Sequence, residues 1–413
     1  MSKFSILLCA LCATFSSGPL HADTPALELI IDADFSVSYQ AARSIELGVR
    51  TALDEVQGNI GGLDFRIVTR DHHGNAKRSY LTLAGYVENE NALAIIGGSH
   101  SPPYLTYQEF INTNRILTLL PWSAAGPITR SKPESENWFY RLSIDDSRAG
   151  GFIVDHATSN ASCVDISLLL IDTGWGRSNR SAMIKALAKT GREPTMIKMV
   201  PTATGTSSAK AIANEIGRSA TDCVIMVMTS TEGAHLVNAL HEMAPDVTVY
   251  SHWGVLAQNF ADQVTHQTRS DLGLRVIQTC GLQAEQDGNE VVTTALTNIN
   301  RHSLRRNSLR EIPSSVGFIH AYDLTHILIE AIQQAATQPE WQGDIRAKRL
   351  AVRHALENLK QPVPGILKTY EAPFSAYSPD RPNAHEALDT DDFCMTSFAA
   401  DGLMVASSDE QEQ

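Results

Sequence analysis

From Leu27 onward the chain repeats one unit: a short apolar run, a polar loop, then a segment whose apolar residues recur at helical spacing. Strands separated by helices of this length pair in parallel through right-handed crossovers, which confines the chain to an α/β architecture. The first unit joins Leu27–Ile31, the polar Asp32–Gln40, and a helix carrying Ile45, Val49, Ala52, Leu53 and Val56 as far as Gly58. Strand Phe65–Thr69, helix Ala76–Asn89, strand Leu93–Ile96, helix Tyr104–Asn114, strand Ile116–Leu120 and a short strand Phe139–Leu142 complete a first series. Helix Arg148–Thr158 then opens a second. Its strands Cys163–Ile171, Thr195–Val200, Cys223–Met228 and Thr248–Ser251 alternate with helices Asn179–Lys189, Ser208–Gly217 and Glu232–Met243. Strand Leu274–Thr279, the helices Val291–Asn300, Val316–Ala336 and Arg346–Leu359, and an ordered cap Gly365–Ala400 with a last strand Phe393–Phe398 follow.

A length of 413 residues suits two such domains. The 33 Lys and Arg against 46 Asp and Glu give a formal charge of −13, and no basic cluster points to nucleic acid or an anionic membrane. Residues 1–22 read as a secretory signal peptide: Lys3, the apolar run Phe4–Phe15, then Ser-Ser-Gly-Pro and Ala22 at the cleavage point. That run is too short to span a bilayer, and beyond residue 22 no apolar stretch approaches 18 residues, so no membrane insertion is expected after the signal is removed. Four cysteines remain in the exported chain, enough for two disulfides. Cys163 and Cys223 each precede a Val-led strand; if those strands are neighbours in a parallel sheet, the thiols fall within bridging reach. Cys280 with Cys394 is the remaining pair.

The stretch Ala94–Pro103, A-I-I-G-G-S-H-S-P-P, carries a buried strand into a small polar turn before a helix, the place where open α/β sheets present donors to a ligand. Together with D-H-H-G-N at 71–75, L-L-P-W-S-A-A at 119–125, F-Y-R-L at 139–142, D-T-G-W-G-R at 172–177 and H-E-A-L-D at 385–389, it resembles the type I periplasmic solute-binding proteins of the branched-chain and hydrophobic amino acid and amide ABC transporters, the leucine-binding protein-like group. The resemblance implies two doubly wound Rossmann-like lobes joined by a three-segment hinge and closing on a ligand. On that pattern residues 23–143 with 276–360 form lobe 1, residues 144–275 with 361–406 form lobe 2, and 407–413 is a frayed tail. The implied function is periplasmic capture of a small molecule for an ABC permease, by a monomer without cofactor or metal.

Carried over position by position, the family's carboxylate-binding serine falls at Ser101, with Ser99 in the same turn, and its A-A-T/S loop falls at Trp122-Ser123-Ala124. The pocket tyrosine falls at Trp175, and the aromatic opening a late helix falls near Phe318. The family's ammonium-binding glutamate is replaced: the chain reads His252-Trp253-Gly254-Val255. A buried ammonium without its acceptor costs several kcal/mol, so an α-amino acid would need Glu232, Asp172 or a water chain instead. Three tryptophans in ligand-facing loops favour an apolar or aromatic solute carrying a carboxylate or amide.

Two other functions are carried alongside. The same fold serves as a sensory module feeding a membrane receptor. A hydrolase would use Ser99 in a nucleophile elbow at Gly97-Gly98-Ser99-His100-Ser101, but the last glycine of G-x-S-x-G is absent and His100 is too close in sequence to act as base. A Walker A loop, a complete dinucleotide fingerprint and a second ligand pair for a zinc held by His72-His73 are all lacking.

Overall fold

A computed structural model describes residues 25–130, 136–301 and 305–406. The signal peptide and the tail 407–413 expected from sequence lie outside the described residues. Among these residues the strands are β1 Leu27–Ala33, β2 Asn59–Ile60, β3 Leu63–Asp71, β4 Ala92–Gly97, β5 Thr118–Leu120, β6 Phe139–Arg141, β7 Ile166–Ile171, β8 Met196–Val200, β9 Cys223–Val227, β10 Thr248–Ser251, β11 Arg275–Thr279, β12 Val363–Pro364, β13 Thr369–Tyr370, β14 Phe393–Phe398 and β15 Met404–Ala406. They build a six-stranded sheet in the order β2-β3-β1-β4-β5-β6 and a seven-stranded sheet in the order β15-β14-β11-β10-β9-β7-β8, plus the β12–β13 hairpin.

All residues of β1, β4, β7 and β9 are buried, as strands covered by helices on both faces must be. Each sheet is parallel apart from its edges, the hairpin β2–β3 in the first and β14–β15 in the second. The helix Ser315–Ala336 is buried along most of its length and lies against the helix Tyr39–Glu55. Gly48 permits that approach, since a Cβ there would stand 2.5 Å from the Phe318 carbonyl oxygen. Both disulfides join the expected partners. Cys163–Cys223 links the approaches to the neighbouring strands β7 and β9, and Cys280–Cys394 links the end of β11 to β14, with Cα separations of 5.4 and 5.1 Å.

Several expectations from sequence are corrected. The single helix Tyr104–Asn114 is two, Pro102–Thr106 and Gln108–Thr113, broken at Tyr107. The loop expected over 172–177 is already helical from Gly174, capped by the Thr173 hydroxyl accepting from the Gly176 N–H. Phe393–Phe398 is followed by a further strand, β15.

The lobe boundaries also shift. β11 pairs with β10 and β14 in the second sheet, so the chain leaves that lobe after Thr279 rather than at residue 276. Residues 363–388 lie on the first lobe, not the second. Asp323 accepts from the Ile366 and Leu367 N–H groups and from the Tyr370 hydroxyl, and Arg141 of β6 binds Glu386 in a bidentate pair with both side chains buried. The crossings between lobes therefore follow β6, follow β11 and precede β14.

Candidate functional site

The C-terminal ends of β4 and β5 in one sheet face those of β7, β9 and β10 in the other. The loops leaving these ends enclose a cavity of about 100 Å³ between the lobes. Ser99, His100, Ser101, Trp122 and Ala124 line it from the first lobe, and Trp175, Thr229 and Trp253 line it from the second. A larger cavity of about 350 Å³ borders the segment Arg310–Val316 and the β14–β15 turn. None of the ligand residues expected from sequence lines it.

Ser101 is 3 % exposed, and its hydroxyl oxygen accepts the Ala125 N–H at 3.2 Å. That bond uses a lone pair and leaves the hydroxyl proton for a ligand acceptor. The glycines before it serve packing rather than open approach. A Cβ at Gly97 would stand 2.6 Å from Leu120 Cδ2, and one at Gly98 would stand 2.8 Å from Ala33. The Gly98 N–H is engaged with the Asp32 carbonyl at 2.9 Å.

Ser123 does not line the cavity: its hydroxyl lies 2.7 Å from the Gly98 carbonyl and 3.1 Å from that of His100, so it fastens the turn from beneath. Glu232 is likewise turned away, accepting the Ala203 N–H at 2.8 Å and the Thr229 hydroxyl. Asp172 pairs with Arg177 on the surface. Phe318 is fully buried and stacks on Tyr322 within its own helix. No carboxylate is among the described residues lining the cavity.

The tryptophans are what the cleft brings together. Trp122 and Trp253, both nearly fully buried, meet across it at a ring-centroid distance of 5.4 Å. Gly317 makes room for Trp122, since a Cβ there would fall 2.8 Å from the indole ring. Gly254 does the same for Trp175, with a Cβ only 2.5 Å from its ring. The Trp175 indole N–H donates to Asp146 Oδ1 at 3.2 Å, and the same oxygen lies 2.8 Å from His252 Nε2. Asp146, which the sequence analysis did not single out, thus holds the ring in place.

His320 is buried behind Trp253, with ring centroids 5.5 Å apart. Its Nδ1 lies 2.9 Å from the Pro121 carbonyl, so Nδ1 donates and Nε2 accepts from the Thr279 hydroxyl at 2.8 Å. Burial pushes its pKa down to about 4, which keeps it neutral.

The sequence matches the profile of the periplasmic binding protein family over residues 33–386. The chain belongs to that family. Its architecture is the type I fold of that group, as solved structures show. A solute-binding protein of an ABC transporter from R. palustris, solved in complex with 4-hydroxybenzoate, superposes with a TM-score of 0.72 at 14 % identity, covering 93 % of this chain and 96 % of that one. A second R. palustris protein, solved with benzoate, gives 0.71 at 15 % identity over 92 % and 95 % of the two chains. The leucine binding protein LivK from Thermotoga maritima MSB8 gives 0.68 at 13 % identity over 93 % and 98 %. No curated protein matches by sequence. Among the described residues no helix is long and apolar enough to cross a membrane.

Proposed function

We propose that this protein captures a small aromatic or apolar solute bearing a carboxylate or amide between its lobes, in the periplasm, and presents it to an ABC permease. The observation that carries the reading is the pairing of Trp122 and Trp253 across a cavity whose polar end is the Ser101 hydroxyl and whose lining, among the described residues, holds no carboxylate. Ser99 and Ser101 receive the polar end, while Trp122, Ala124, Trp175 and Trp253 enclose the ring or aliphatic body. The benzoate and 4-hydroxybenzoate held by two proteins of the same fold support this class of solute.

Binding performs the work. An open form exposes the cleft, the solute bridges both lobes, and the closed shape is the signal that the permease reads. The signal peptide delivers the chain to the periplasm, where it acts as a monomer. Calorimetric titration of the mature protein with benzoate, 4-hydroxybenzoate and leucine tests the reading: aromatic acids bind tighter than leucine if it holds, and a clear preference for leucine overturns it.

A further inference from the structure

Behind Ser99 and Ser101 lies a cluster that solute binding of the ordinary kind does not require. His100 lines the cavity, with its Nε2 3.2 Å from the Ser38 hydroxyl, which also lines it. Its Nδ1 is buried without a hydrogen-bond partner, 3.8 Å from Asp34 Oδ2. Asp34 is itself 1 % exposed; its Oδ1 accepts the N–H groups of Ser36 and Val37, and its Oδ2 is buried and unpartnered. The His72 ring sits 5.7 Å from that of His100, and its Nε2 is a third buried atom without a partner.

The cluster is unsuited to a metal. His72 Nδ1 accepts the Gly74 N–H at 3.1 Å, which places the ring proton on Nε2 and removes that nitrogen as a ligand. No group of three metal-ligating side chains occurs among the described residues.

We propose that His100, backed by Asp34, is the specificity-determining residue that matches an anionic solute, by taking up a proton from solvent as the solute's carboxylate enters the cavity. This rests on the function proposed above. Burial holds His100 below the ordinary histidine range, and burial with His100 alongside pushes His72 down to about 4. A carboxylate arriving beside His100 adds a negative charge in a poorly solvated space and favours the imidazolium. The protonated ring then directs Nδ1–H toward Asp34 Oδ2 and Nε2–H toward the Ser38 oxygen, freeing the Ser38 hydroxyl proton for the solute.

The charged and titratable groups facing His100 from the first lobe are Asp34 and His72, with Asp71 and His73 behind them. From the second lobe the cavity presents Ile171, Thr173, Trp175, Thr229, Trp253 and Gly254, and none of these titrates near neutrality. Among the described residues lining the cavity, His100 is therefore the one that can supply a cation, as its imidazolium.

The test is calorimetric titration of the wild type with benzoate and its neutral isostere benzamide, at pH 6 and pH 8, in buffers of different ionisation enthalpy. Benzoate should bind with net proton uptake and about tenfold more weakly at pH 8 than at pH 6, whereas benzamide should show neither effect. In His100→Gln, and in His100→Asn as a second variant with melting temperature checked, benzoate should lose both its pH dependence and its proton uptake, and benzamide should remain independent of pH as in the wild type. Benzoate binding without proton uptake, or a pH dependence that survives in the variants, overturns the proposal while leaving the solute class intact. Failure of both probes to bind overturns the solute class and this inference together.

Discussion

Trp122, from the loop after β5, and Trp253, from the loop after β10, meet with ring centroids 5.4 Å apart and planes inclined by 43°. Each ring belongs to a different lobe, so their contact is part of what holds the cleft closed. A flat solute sliding between or beside them exchanges one aromatic contact for two, an exchange that an aliphatic amino acid cannot reproduce.

The glycines that seat these rings give the first prediction. A methyl at Gly254 would stand 2.4 Å from the Met228 carbonyl and 2.5 Å from Trp175. Gly254→Ala should therefore displace Trp175, cost about 1–3 kcal/mol of stability and weaken aromatic-acid binding. Thermal melting with and without benzoate checks it; an unchanged ligand-induced shift would contradict the assigned role of Trp175.

His320 gives a pH dependence. Its pKa is depressed to about 4 in the fold, against about 6.5 in the unfolded chain, so the unfolded state binds the extra proton between those values. The stability from keeping it neutral is fully present above pH 6.5 and is lost as pH falls toward 4. Denaturant unfolding of wild type and His320→Gln at pH 7, 5.5 and 4 should show the difference in stability between them changing by about 3 kcal/mol against the wild type on acidification. A constant difference would show that the ring titrates normally.

The disulfides give a redox prediction. Cys163–Cys223 and Cys280–Cys394 are separated by 60 and 114 residues, loops for which chain-entropy reasoning gives about 4–5 kcal/mol each. Reductant should lower the melting temperature in the wild type and have no further effect in a variant with all four cysteines changed to Ser. Free-thiol titration of the unreduced, denatured protein should find none of these four reactive.

The Arg141–Glu386 pair joins β6 to a segment 245 residues away, with Nε–Oε2 and Nη2–Oε1 distances of 2.7 and 2.8 Å and no solvent access at the guanidinium. Asp145 also contacts this guanidinium at 3.1 Å. Glu386→Ala leaves a buried cation with less compensation and should cost about 3–5 kcal/mol by denaturant unfolding. A cost below about 1 kcal/mol would mean that residues 363–388 are not fixed to the first lobe by this pair.

The parallel sheets were legible because each buried strand is a continuous apolar run and each crossover helix shows its own period. The side of the molecule taken by residues 363–388 was not, because it is set by Glu386 with Arg141 and by the donors around Asp323, partners far away in sequence. At the candidate site, Ser101 and the three tryptophans could be singled out because they follow directly on strand ends, where an open sheet places ligands. Ser123, Glu232 and Phe318 occupy the right loops or helix starts, but the direction of a side chain depends on what it bonds. Two turn inward to backbone groups and the third stacks on Tyr322. His100 was set aside in sequence as a poor base; its significance depends on Asp34 and His72, which arrive from the ends of β1 and β3.

Whether Trp253 selects aromatic over aliphatic solutes is decided by the ratio of leucine to benzoate dissociation constants in wild type and Trp253→Ala, by calorimetry on the mature protein with folding confirmed by melting. The wild type should prefer benzoate by at least about tenfold, and the variant should lose most of this preference. Tight leucine binding that Trp253→Ala leaves unchanged would contradict it.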